Sequence, residues 1–125
     1  MNNAIKESIT LDIRRKIFNV EARGIAFKDG DFEVIYIPSL ELSAYGKDFK
    51  QAKKMLEIQL DEFSENMFKL PAPRIHQEFK RLGWKKDKFF KRRLNIELSD
   101  TTFEDFKKEF NIPENTDIKQ IPIIA

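Results

Sequence analysis

Between Lys85 and Arg93 the chain reads Lys-Lys-Asp-Lys-Phe-Phe-Lys-Arg-Arg, six cations around two adjacent phenyl rings. That composition suits a nucleic-acid contact. Lys85, Lys86, Lys88, Lys91, Arg92 and Arg93 would neutralise phosphates, while an exposed Phe89 or Phe90 would stack on a base. Two other readings stand beside it: a solvated edge strand guarded by lysine against aggregation, and an electrostatic patch for an acidic protein. Arg14-Arg15-Lys16 is a second basic run that could extend the first. Their separation along the chain leaves open whether they meet.

Other chemistry finds less to work with. Metal sites need converging ligands, and the chain offers one histidine and no cysteine. His76 lies beside Gln77 and Glu78 without a second histidine, so a solvated surface residue is expected. No serine occupies a Gly-x-Ser-x-Gly elbow. The four glycines, at 24, 30, 46 and 83, form no phosphate-cradling loop. Glu57, Asp61, Glu62 and Glu65 fall on the polar side of a helical pattern. Glu21, Asp31 and Glu33 alternate along strands without a pattern that would make them converge. No catalytic, cofactor-binding or metal-binding residue is nominated, no cofactor is expected, and the chain reads as a binding protein and not an enzyme.

At 125 residues, 41% of them hydrophobic, the chain can bury a core of its own. Twelve phenylalanines against one tryptophan and two tyrosines point to a core built largely on phenyl rings. The absence of cysteine excludes a disulfide scaffold and fits a reducing compartment. No run approaches the ~20 apolar residues of a membrane span, and the N-terminus does not read as a signal peptide. A soluble, cytoplasmic protein without a membrane partner is expected. The net charge of +2 is too small to name a partner, so the distribution of charge matters more.

These residues need elements to position them. Ile9, Leu11 and Ile13 alternate with polar neighbours and predict a short strand or ordered arm. A longer extended run covers 17–27, with Phe18, Val20 and Ala22 on one face and Gly24 as a bulge or a point of close approach. Asp29-Gly30 suits a type I′ hairpin turn. Phe32 to Ile37 follows as a strand ended by Pro38, and Leu40, Leu42 and Ala44 predict a third. Asp48 with Gln51 reads as a capping box opening a five-turn helix to residue 67, whose stripe is Phe49, Ala52, Leu56, Leu60, Phe63 and Met67. A second helix over 73–82 begins at Pro73, buries Ile75, Phe79 and Leu82, and ends on Gly83. Residues 84–98 look extended, with a turn at Asp87-Lys88 and Phe90, Leu94, Ile96 and Leu98 facing one way. Thr101 and Glu104 form another capping box before a helix carrying Phe103, Phe106 and Phe110. Ile118 to Ile124 reads as an edge strand interrupted by Pro122.

Read from Gly30, the pattern Gly-Asp-Phe-x-Val-x-x-Ile-Pro-x-Leu, followed by Gly46 and Ala52, resembles the HicB-like antitoxin domain over about residues 24–67. The matching positions are Gly30, Phe32, Val34, Pro38, Leu40, Gly46 and Ala52. Ser39 stands where that family has aspartate, and Leu42 where it has glycine. Lys47-Asp48 replaces its Asp-Thr, and the gap to Gly46 is one residue short. The resemblance implies three strands, a helix and a fourth strand, a truncated relative of the ribonuclease H fold. It also implies binding of a small, RNA-cleaving toxin of the HicA type.

These readings combine into one α+β domain over 1–125. A small antiparallel sheet of β-β-β-α-β order is expected, packed by the long helix. Its core spans 17–98 with the 73–82 helix inserted, and 99–125 supplies a further C-terminal helix and a tail. The expected function is a noncatalytic antitoxin-like regulator that binds a small toxin and oligomerises through exposed strand edges. The alternative is a nucleic-acid-binding module using 85–93.

Overall fold

A computed structural model describes residues 7–96, 108, 112–113 and 116–125. The helix expected after Thr101 lies outside the described residues. Seven strands and two helices are present among those described, in the order β1 (Ser8–Asp12), β2 (Ile17–Asp29), β3 (Phe32–Ile37), β4 (Leu42–Gly46), α1 (Phe49–Phe68), α2 (Ala72–Arg81), β5 (Trp84–Lys86), β6 (Arg93–Ile96) and β7 (Ile118–Ile124). The class is α+β, but the expected small β-β-β-α-β sheet with extra C-terminal helices is corrected. One seven-stranded sheet forms, because the N-terminal run and the C-terminal run both pair into it.

All strand pairs are antiparallel, on a path β4-β3-β2-β1-β6-β5, with β7 joined to β2. The 13-residue β2 organises the sheet. Its first part pairs with β1 (Ile9↔Val20), its last part with β3 (Ala26↔Ile35), and its middle with β7 (Gly24↔Ile121). Backbone groups of successive strand residues point to opposite edges. Val20 exchanges both its N–H and its C=O with Ala125, so the even-numbered residues of β2 turn their backbone toward β7. Arg23 N–H points the other way and donates to Glu7 Oε1 at 2.8 Å. β1 and β3 therefore share the edge opposite β7, end to end, and the sheet forks between them.

Glu7 fills that fork. Its Oε1 also accepts from Ser39 Oγ at 2.9 Å, and Trp84 Nε1 donates to the Ser39 carbonyl at 2.8 Å. The chain thus ties the start of β1, the β3–β4 turn and β5 together where no ladder can run. Buried backbone groups must find partners, and here a carboxylate supplies the acceptor. No pattern in the sequence marks Glu7 for this task.

The local signals explain most elements. Asp48 caps α1 by accepting from Gln51 N at 2.7 Å, while Gln51 Oε1 reaches past the cap to accept from Lys47 N at 2.6 Å. Ala52, Leu56, Leu60 and Met67 are buried as the stripe predicts, but Phe49 is exposed. α1 lies over β3 and β4, and Gly46 is a point of close approach between strand and helix. A Cβ there would sit 2.5 Å from Ala52 N. The β2–β3 turn is shifted by one residue from expectation. Asp29 pairs with Phe32, and Gly30 has φ +60° while Asp31 has no positive φ, which is the type II′ arrangement with glycine first. Gly24 is no bulge, since the register with β7 runs through it. A Cβ there would meet Ile123 at 2.8 Å, so it is a close-approach glycine.

The core differs in composition from the phenyl-rich expectation. Ile9, Val20, Ile35, Ile37, Leu56 and Ile75 are among its fully buried side chains, and Phe79 is the phenylalanine that joins them. Phe18 stacks on Phe79 and Phe63 meets it edge to face, both with ring centroids 6.1 Å away, and so they seat α1 and α2 on the sheet. Losing Phe79 to alanine would remove about 3–5 kcal/mol by cavity formation. No helix among the described residues is long and apolar enough to cross a membrane.

Candidate nucleic-acid interface

The basic segment does not continue as one extended stretch. Lys85 and Lys86 lie on β5, Arg93 opens β6, and 87–92 forms the turn between them. Asp87 builds that turn. Its Oδ1 accepts from the N–H groups of Phe89 and Phe90 at 2.8 and 3.0 Å, and its Oδ2 from Asn95 Nδ2 at 2.7 Å. Asp87 N–H donates to the Arg93 carbonyl, and Arg93 N–H to the Phe90 carbonyl. The Asn95 bond, then the two backbone N–H groups and the charge of Arg93, hold the Asp87 carboxyl down at about 2. The carboxylate is ionised throughout the neutral range, so the turn keeps its acceptor.

This turn carries both rings into solvent. Phe89 is 86% exposed and Phe90 61%. The alternation puts Phe90 on one face with Leu94; Leu94 is buried, but Phe90 is exposed. The alternation that predicts its direction applies only within a strand, and Phe90 lies in the turn before β6 begins. Lys88, Lys91 and Arg92, which flank the rings in sequence, are exposed. Arg93 is half-buried, opposite Thr10 of β1. Burial, and then the positive charge of Lys86, lower the pKa of His76 on α2. Of the six predicted cations, Lys85, Lys86 and Lys88 line one hollow with Phe89, while Lys91 and Arg92 follow Phe90 in the turn.

The second basic run joins them through a residue that sequence reasoning missed. Asp12, at the end of β1, has a side chain only 9% exposed. Its Oδ2 lies 3.3 Å from Arg92 Nε and 3.9 Å from Arg15 Nε. Asp12 Oδ1 accepts from Arg15 N–H at 3.1 Å, and Leu11 N–H donates to the Arg92 carbonyl at 2.7 Å. The turn 13–16, with Arg14, Arg15 and Lys16, therefore sits beside the turn 87–92. Lys16 takes φ +55° to close it. The Asp-x-x-Arg spacing of Asp12 and Arg15 was the available signal, because Asp commonly accepts from backbone a few residues on. Its link to Arg92 depends on the β1–β6 pairing, which spacing cannot reveal.

The resulting rim is positive, aromatic and made of two adjoining turns. Acidic side chains are scarce in it: Asp12 is buried beneath the arginines, and Asp87 is engaged on three sides. Elsewhere, no group of three His, Cys, Asp or Glu that could hold a metal is present among the described residues. One hollow is lined by Leu42, Phe63, Met67, Leu70 and Phe79 together with Glu62 and Glu78. It is apolar and acid-rimmed, and it does not adjoin the basic turns. Compared with models of known protein families, with characterised proteins and with solved structures, the chain matches none.

Proposed function

We propose that this chain is a noncatalytic nucleic-acid-binding module whose contact surface is the rim formed by the turns 13–16 and 87–92. The observation that carries the reading is the placement of Arg14-Arg15-Lys16 beside Lys88, Lys91 and Arg92 through Asp12, around two exposed phenyl rings. Clustered cations release condensed counterions when they meet phosphates, which makes binding strongly salt-dependent. Filter binding of mixed-sequence nucleic acid across a salt series tests it. Affinity should fall steeply with salt, and Lys88→Glu with Lys91→Glu should weaken binding and flatten the slope. A salt-independent response, or no binding at low salt, refutes it.

A second reading has its own support. The succession β2-β3-β4-α1 is the one that the HicB-like resemblance implies. β4 ends the strand path, so one of its edges carries no strand among the described residues. Exposed Tyr45 and Phe32 meet edge to face beside it at 5.5 Å. A small toxin adding a strand there would use the β-augmentation mode. Co-expression with the product of the neighbouring gene tests this: a stable complex lost on Tyr45→Glu, and kept in the Lys88/Lys91 variant, supports it. Failure of any complex to form removes it.

A further inference from the structure

Resting on the nucleic-acid reading, we infer that the ligand of the 13–16 and 87–92 turns is single-stranded, held by stacking of its bases on Phe89 and Phe90. A phenyl ring has no donor or acceptor with which to read base edges, which are what a duplex presents in its grooves. Duplex bases already cover one another's faces. An unpaired base offers the flat apolar face that an exposed ring can bury without the cost of unstacking a duplex step.

The backbone that carries the rings is also fixed in advance. Asp87 Oδ1 holds the N–H of both ring-bearing residues, and the Phe90 carbonyl accepts from Arg93 N–H. Binding then has little backbone freedom left to remove, which favours affinity. Lys88 and Lys91 flank the rings in sequence, one on each side, and the turn 13–16 lies alongside. A strand crossing the rim would pass its phosphates over cations while its bases met the rings. Affinity would come from both terms without sequence reading, because every base has a stackable face.

The experiment is fluorescence anisotropy on the full chain with a labelled oligothymidylate of about 12 nucleotides, a size suited to a compact single-strand site. A mixed-sequence duplex of equal length and vesicles of mixed phosphatidylserine and phosphatidylcholine are run alongside. The single strand should bind at least about tenfold more tightly than the duplex. Phe89→Ala and Phe90→Ala should each lose roughly tenfold on the single strand with the salt slope unchanged. Phe89→Leu, which keeps an apolar side chain without a stacking face, should lose most of the same factor. Equal binding of both nucleic acids, indifferent to the rings, overturns this inference and leaves the nucleic-acid reading standing. No binding of either at low salt overturns both. Ring-dependent binding of vesicles without oligonucleotide binding also overturns both, in favour of an anionic lipid surface.

Discussion

At the scale of single residues, two glycines that look alike in sequence do different work. Both would place a new Cβ against a neighbour closer than ordinary contact, but the neighbours differ. At Gly46 the obstacle is backbone, Ala52 N at 2.5 Å and Gln51 C at 2.8 Å. At Gly24 it is the side chain of Ile123 at 2.8 Å, and side chains can turn aside. Gly46→Ala should therefore destabilise the chain by about 1–3 kcal/mol or more, as overpacking does when nothing can yield. Gly24→Ala should cost less. Urea denaturation of both variants checks this, and an equal or reversed order would refute the assigned contacts. Two of the resemblance positions, Gly46 and Ala52, are thus explained by this strand–helix approach.

At the scale of elements, the turn 87–92 depends on an ionised carboxylate. Asp87 has a folded pKa of about 2 against an ordinary value of 3.8. A depressed folded pKa means that the group stabilises the fold above the unfolded value, and that this stabilisation fades as pH falls from about 3.8 toward 2. The amide resonances of Phe89 and Phe90 should accordingly titrate together with a midpoint near 2. Asp87→Asn should abolish that transition while the signals of β2 stay unchanged. A midpoint at the ordinary carboxylate value would show that Asp87 does not hold the turn. β7 illustrates a second elemental rule. Ala125 bonds to Val20, so odd-numbered residues of β7 face β2 and Pro122 turns its missing N–H to the outer edge. The proline that was expected to interrupt the strand instead sits within it, at a position facing away from the ladder.

At the scale of the whole molecule, Glu7 decides whether the two branches of the sheet hold together. The β3–β4 branch and the β1–β6–β5 branch meet through its carboxylate, Ser39 and Trp84. Glu7→Ala would strand the Arg23 N–H and the Ser39 hydroxyl in a buried fork, at a cost of about 1–3 kcal/mol. Glu7→Gln keeps an acceptor of the same shape and should lose much less. Thermal melts of the two variants give the comparison, and indistinguishable melts would show that the fork is held by packing alone. The same variant carries a consequence for the rim: β1 links β2 to β6, so loosening the fork should also weaken nucleic-acid binding without touching a cation.

Much of this was legible in the chain. The capping box, most of the stripe of α1, a proline in the first turn of α2, a turn at Gly30 though not its register, and the basic-aromatic segment are all local patterns, set by bonds and contacts within a few residues. Their physics does not wait for the fold. What the sequence left open was pairing between distant segments: that 8–12 and 118–124 enter one sheet, that β2 is shared by three partners, that Phe90 faces water, and that Asp12 brings two basic turns together. Alternation says which side chains share a face of a strand, but it is the same for every partner the strand could take. Only the tertiary hydrogen bonds, at Glu7, Ala125 and Asp12, choose among those partners. They turn two separate runs of charge into one surface.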